Sequence, residues 1–195
     1  MAGVRQFDEE AVLDAVLRTF WERGYGATAM ADLAAAAGVQ RGSLYHAYGG
    51  KEELLLRALD RYGARYGGPA RAALAEPEPR RAIEGFLESH LARMAEPANP
   101  QGCLMCQTAL ECGGRDPVLT EQVKAHFLRT ETAIREALAR GQAAGLLSEG
   151  ADPRALARFF LGVSRGMAVL HRTYGDLGAV RDMAATALTV LDAQG

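Results

Sequence analysis

An all-α fold is predicted by three features of this 195-residue sequence. Ala, Leu, Glu and Arg dominate it, and all four are strong helix formers. Runs of β-branched residues, which would favour strands, are sparse. Apolar residues return every three or four positions in segment after segment, the period of a helix with one buried face. Glycine and proline clusters then divide the chain into helix-sized lengths: Gly49-Gly50, Gly67-Gly68-Pro69, Pro97 to Gly102, Gly113-Gly114 and Asp152-Pro153. Apolar residues make up 49% of the chain, enough for a sizeable core.

The chain opens with an arm, Met1 to Gln6, expected to be frayed. Asp8, Glu9 and Glu10 then place acids at the positive end of a helix. Ala11, Leu13, Ala15, Val16, Thr19 and Phe20 form its inward stripe, and Gly24 stops it. From Thr28 to Lys51 the spacing predicts two short helices and a tight turn. Thr28 is expected to cap the first. Met30, Leu33, Ala34 and Ala37 face inward, and Gly38 leaves the helix with positive φ before Val39 anchors the turn. The second helix, Gln40 to Tyr48, points Leu44 and Tyr48 inward. Gln40, Arg41, Ser43, Tyr45 and His46 stay outside. Amide, guanidinium, hydroxyl, phenol and imidazole groups on one short helix suit a DNA groove and its phosphates. No Asp or Glu occurs from Leu33 to Lys51, so nothing acidic opposes them. This is a helix-turn-helix.

The pattern Thr28, Met30, Leu33, Ala34, Ala37, Gly38, Val39, Gly42, Ser43, Leu44, Tyr45, Lys51, Glu52, Glu53 and Leu54 resembles the TetR family of bacterial transcriptional regulators. The resemblance implies a helix-turn-helix DNA-binding domain over residues 1–50. It implies a helical ligand-binding and dimerisation domain over residues 51–195. It further implies a homodimer, acting as a repressor released from a palindromic operator by a small-molecule or thiol-reactive effector. Arg41 is then a candidate for guanine and Gln40 for adenine. Thr28, Gly42, Ser43, Tyr45, His46 and Lys51 complete the candidate DNA-binding set, with Lys51 assigned a phosphate contact.

Beyond Lys51 a helix runs to about Tyr66, with Leu54, Leu55, Ala58, Leu59 and Tyr62 inward, and Gly67-Gly68-Pro69 marks a bend. A helix follows from Arg80 to Ala95, with Ile83, Phe86, Leu87, His90, Leu91 and Met94 on one face. Cys103 to Cys112 then carries three cysteines in ten residues. Small buried hydrophobes, reactive thiols or a metal site would each account for them. Cys103 and Cys106 share a helix face, and Cys103 at the helix start would hold more thiolate. Cys112 lies about half a turn away, so one helix cannot converge all three on an ion. Long helices follow, with Val123, Phe127, Leu128, Ile134, Ala137 and Leu138 inward on the first. Leu156, Phe159, Phe160, Val163, Met167, Leu170 and Tyr174 line the second. Small residues at Gly162, Ser164, Gly166, Ala168, Ala184, Ala185 and Ala187 suit close approach of helices, including those of a second copy.

An effector site is expected among His90, Met94, Cys103, Met105, Cys106, Phe127, Phe159, Met167 and His171. Its sulfur and apolar groups suit a small hydrophobic or electrophilic molecule.

Net charge is −2, and residues 1–66 hold eight Lys or Arg against nine Asp or Glu. Any attraction to DNA must therefore come from one face. With neither a leader nor an apolar stretch near membrane-spanning length, a soluble cytoplasmic protein without membrane association is expected. An odd number of clustered cysteines is not a secreted disulfide framework. No paired base or strand context marks an enzyme, and no cofactor or metal is expected. A thiol-based redox or metal-binding helical protein is the alternative.

Overall fold

A computed structural model describes residues 8–192, so the Met1–Gln6 arm lies outside the described residues. Among the described residues there are helices and no strands, as predicted. They are α1 (Glu9–Arg23), α2 (Met30–Ala37), α3 (Arg41–Tyr48), α4 (Lys51–Tyr62), a π-type turn (Gly63–Gly67) and α5 (Gly68–Ala73). Then come α6 (Pro79–Ala95), α7 (Leu104–Cys112), α8 (Pro117–Ala143), α9 (Pro153–Tyr174) and α10 (Leu177–Asp192).

Helix α1 starts where its acids predict. The Asp8 carboxylate accepts hydrogen bonds from the Glu10 and Ala11 amides at 3.0 and 3.3 Å. Its buried stripe is Val12, Val16, Leu17, Thr19, Phe20 and Trp21, rotated from the predicted one, and Ala11 is exposed. Trp21 explains the rotation. Its ring meets Tyr62 edge-on at 5.0 Å and Tyr66 at 5.4 Å, fixing α1 on α4 and the π turn through the largest buried side chain.

The two short helices form with their turn as expected. Gly38 has φ 65° and ends α2, and Leu33 and Leu44 are fully buried. Thr28, however, is not the cap. Ala29 holds that position, and the Asp32 carboxylate accepts the Ala29 amide at 2.7 Å. Gln40 is the residue before α3 rather than its first turn.

At Gly67-Gly68-Pro69, where a bend is expected, the chain remains helical. Helix α4 continues through the π turn into α5, with Pro69 in the first turn, where a missing amide costs nothing. Glycines at 63 and 67 let α8 come close: a Cβ at Gly67 would lie 3.1 Å from His126, and one at Gly63 would lie 3.3 Å from it. That close approach turns His126 inward on α8. Leu128, predicted inward, is exposed.

Helices α6, α8, α9 and α10 bury Phe86, Ile134, Leu138, Phe160, Met167 and Val180 against one another. Phe159 and Tyr174, expected in that core, are instead 41% and 64% exposed on α9. Gly162, Val169 and Ala185 are also outward.

Candidate nucleic-acid interface and thiol centre

Helix α3 presents Arg41, Gly42, Tyr45 and His46 to solvent, with Gln40 exposed just before it and Ser43 half-buried. Tyr45 is 47% exposed, and the Arg41 guanidinium lies 5.9 Å from its ring centre. One guanidinium and one phenol thus share the outer face of a helix without acids. The α2 acid, Asp32, is paired with Arg23 at 3.2 Å, away from that face.

Two members of the expected DNA-binding set have other partners. Thr28 is 1% exposed and its hydroxyl donates to the Gly24 carbonyl at 2.6 Å. That side chain is closed to a phosphate. Lys51 turns back on the same loop, donating to the Tyr25 carbonyl at 2.9 Å and the Thr28 carbonyl at 3.0 Å. It also lies 4.2 Å from the centre of the Tyr25 ring. A lysine at a helix start opposes the dipole. Two carbonyls and a ring offset that cost, with no phosphate required.

The same loop is held from its other side. The Glu111 carboxylate, near the end of α7, accepts the Gly26 amide at 2.8 Å. From α9, Arg172 donates to the Trp21 carbonyl at 3.5 Å and the Gln101 carbonyl at 3.2 Å, joining the end of α1 to the segment before Cys103. Composition gave no sign of Glu111 or Arg172, because a charge near a helix end is ordinarily solvated.

At the opposite end of α7, Cys103 occupies the N-cap position and is buried. The Cys106 thiol donates to Cys103, and this bond, with Arg165, Arg93 and the Tyr62 hydroxyl, holds Cys103 well below the ordinary thiol range despite burial. Arg165 Nη1 lies 3.7 Å from Cys103 Sγ. Cys106, as donor, is pushed up. Of the two thiols, Cys103 is the one whose surroundings favour the thiolate. Cys112 is buried but raised by its desolvation and by nearby acids, and it takes no part. Among the described residues no cluster of His, Cys, Asp and Glu fits a metal ion.

Cys103 and Cys106 open on a groove of about 270 Å³ between α7 and α9, walled by Gln107, Leu110, Glu111, Ala168, Val169 and Arg172. The other expected effector residues do not join them there. His90 lines a separate inner cavity, while Met94, Met105 and Met167 pack in the core. Phe127 is half-buried beneath Arg165, 5.2 Å from its ring centre. Phe159 lies on the outer face of α9, and His171 Nδ1 accepts the Gly102 amide at 3.4 Å. Sequence reasoning missed Arg165, although its signal was present as a lone cation within LGVSRGMAVL.

Two family descriptions match the chain. "Bacterial regulatory proteins, tetR family" covers residues 12–58, and "Tetracyclin repressor-like, C-terminal domain" covers residues 79–187. The chain belongs to the TetR family. It is a DNA-binding transcriptional regulator of the TetR type. The Escherichia coli (strain K12) HTH-type transcriptional repressor ComR is 29% identical over 186 residues, 93% of this chain and 88% of that protein. The Bacillus subtilis (strain 168) uncharacterized HTH-type regulator YezE is 27% identical over 98% of this chain and 100% of its own length. Among solved structures, a cysteine mutant of the TetR family regulator CifR, complexed with 26bp double-strand operator DNA, superposes with TM-score 0.90. It is 28% identical, over 97% of this chain and all of that one. Family members of this kind are regulators rather than enzymes. No described helix of this TetR chain is long and apolar enough to cross a membrane.

Burial of two histidines makes the fold pH-sensitive. His126 is pushed down to about 4, chiefly by desolvation, and His90 is well below its ordinary range for the same reason. The native state excludes the proton that the unfolded chain accepts near 6.5. This stability is fully present above about pH 6.5 and is lost as pH falls toward 4. Urea unfolding from pH 7 to pH 4 should show a decline that is smaller in His126→Gln by on the order of 2 kcal/mol. Equal declines in both proteins would remove His126 as the cause.

Proposed function

We propose that this chain is a homodimeric repressor whose α3 helices read a near-palindromic operator and whose C-terminal helices release it when Cys103 reacts with an electrophile. The domain division is the one expected from sequence, residues 1–50 for DNA and 51–195 for effector and dimerisation. The acid-free outer face of α3, carrying Arg41 beside Tyr45, supports the DNA reading most directly. Gln40 and Arg41 are assigned to base edges, and Gly42, Ser43, Tyr45 and His46 to the flanking backbone. Lys51 is a loop clamp whose third N–H remains for a phosphate. The exposed Phe159, Val169 and Gly162 on α9 suit a second copy, and a two-fold pair would place recognition helices about 34–36 Å apart.

Cys103 is the reactive group of the effector reading. The thiolate would attack an electron-poor alkene carbon, forming a C–S bond, while the displaced π electrons take a proton from water at the neighbouring carbon. The thioether is neutral. It leaves Arg165 without its anionic neighbour, and breaking a buried charge pair costs on the order of 3–5 kcal/mol. Tenfold weaker operator binding needs only about 1.4 kcal/mol of bias between conformers. The loss of one buried charge is enough.

Tyr45→Ala is expected to weaken binding to all DNA sequences alike, whereas Arg41→Ala should also relax base preference by about 1–3 kcal/mol at one position. Competition against single-base operator variants measures this, and an equal, sequence-blind loss from both would count against the Arg41 assignment. Cys103→Ser should bind operator and ignore an electrophile that dissociates the wild type in a gel-shift titration. Release that persists in Cys103→Ser and in the double variant with Cys106→Ser would remove the thiol reading.

A further inference from the structure

Beside the thiol pair, and separate from the α7–α9 groove, lies a small, partly open cavity whose mostly apolar wall carries several polar groups. Its probe-sized space is about 10 Å³, near that of a single water-sized group. Tyr62, His90, Arg93, His126, Thr130 and Arg165 contribute to its wall. His90 is 8% exposed and His126 3%, and His90 Nε2, His126 Nδ1 and Arg165 Nε are buried without a hydrogen-bond partner. Native proteins rarely leave even one such atom unpaired, since each costs about 1–3 kcal/mol. All three residues contribute to the wall of this cavity.

The charge balance is equally one-sided. Arg93 is buried, donates to the Gly102 carbonyl at 2.7 Å and lies 5.5 Å from the Trp21 ring centre. Arg165 has Cys103 and the Phe127 ring. Among the described residues neither guanidinium makes an ion pair with Asp or Glu. Cys103 can supply one negative charge against these two cations. A buried cation without a counter-charge is expensive, so one further negative charge fits here. The backbone lets these side chains crowd close to it. Gly67 forms part of the wall, and a Cβ there would lie 2.9 Å from Arg71 Nη1 and 3.1 Å from His126 Cε1.

We propose that this cavity binds a single anionic group, either a free halide or the carboxylate end of an effector, held between Arg165, His90 and His126. Arg165 Nε–H donates to it, and each neutral imidazole donates from the nitrogen now unpaired. The site bears on the thiol chemistry without depending on it. An anion in the cavity and the Cys103 thiolate compete for the same guanidinium, so each weakens the other, and neutralising the thiol by alkylation tightens the anion.

The test uses the full-length wild-type protein at constant ionic strength, with gluconate as the bulky reference anion. Chloride, bromide, formate and acetate are titrated against formamide and acetamide, with melting temperature as the readout. Crystals grown with bromide supply the position. A saturable rise with the small anions and none with the amides is expected, together with an anomalous bromide peak within hydrogen-bonding reach of Arg165 Nε. In Arg165→Gln the midpoint should weaken roughly tenfold or more. Carbamidomethylation of Cys103 in the wild type should tighten it. Tighter binding of longer straight-chain carboxylates than of halides identifies an effector headgroup, and halide binding alone identifies a free ion. No saturable shift and an ordered water in place of bromide would overturn the proposal. If Arg165→Gln does not fold, the bromide peak in the wild type decides the matter by itself. Operator affinity measured in gluconate tests the regulator reading separately, because the melting and diffraction arms use no DNA.

Discussion

Everything that positions the recognition helix passes through the six-residue loop, Gly24 to Ala29, between α1 and α2. The Lys51 ammonium grips two of its carbonyls, and the Thr28 hydroxyl closes it on the Gly24 carbonyl. From outside the DNA-binding unit, Glu111 takes its Gly26 amide. Helix α2 begins immediately after this loop, and α3 hangs between α2 and the Lys51 end of α4. Hydrogen bonds to charged groups contribute about 1.5–3 kcal/mol each. A change at any one of them is therefore of the size needed to alter operator affinity tenfold.

The second half of the account is where buried charge resides. Two guanidiniums, a thiol held well below its ordinary range and two imidazoles pushed down by burial share the space between α4, α6, α8 and α9. Removing the negative charge at Cys103 would leave both guanidiniums without a nearby anion, which makes the arrangement responsive to chemistry at one sulfur. Helix α7 links the two halves. Cys103 stands at its N-cap and Glu111 in its last turn, and nine helical residues span roughly 13–14 Å. One short rod carries the reactive group at one end and the loop contact at the other.

Much of this was legible in the sequence, and the reasons for the exceptions are physical. Leu33, Gly38 and Leu44 announced the helix-turn-helix because a turn needing positive φ and two helices needing apolar faces leave few alternatives. Thr28 was misread as a cap because propensity cannot tell a hydroxyl donating backward to Gly24 from one accepting forward. The chain stays helical through the expected bend at Gly67-Gly68-Pro69, and Gly63 and Gly67 serve close approach by His126, a demand made by a distant helix. The same demand exchanged Leu128 for His126 in the core. Phe159 and Tyr174 look like core residues to any periodicity argument, and their exposure is visible only once α9 is placed. Arg165 and Glu111 were passed over because a charge was taken as solvated until the fold showed what it faces.

The link between thiol and loop is tested most directly by measuring operator affinity before and after alkylation of Cys103, in the wild type and in Glu111→Gln. The account predicts that alkylation costs the wild type roughly tenfold or more and costs the variant less than about twofold. An equal loss in both proteins would contradict it.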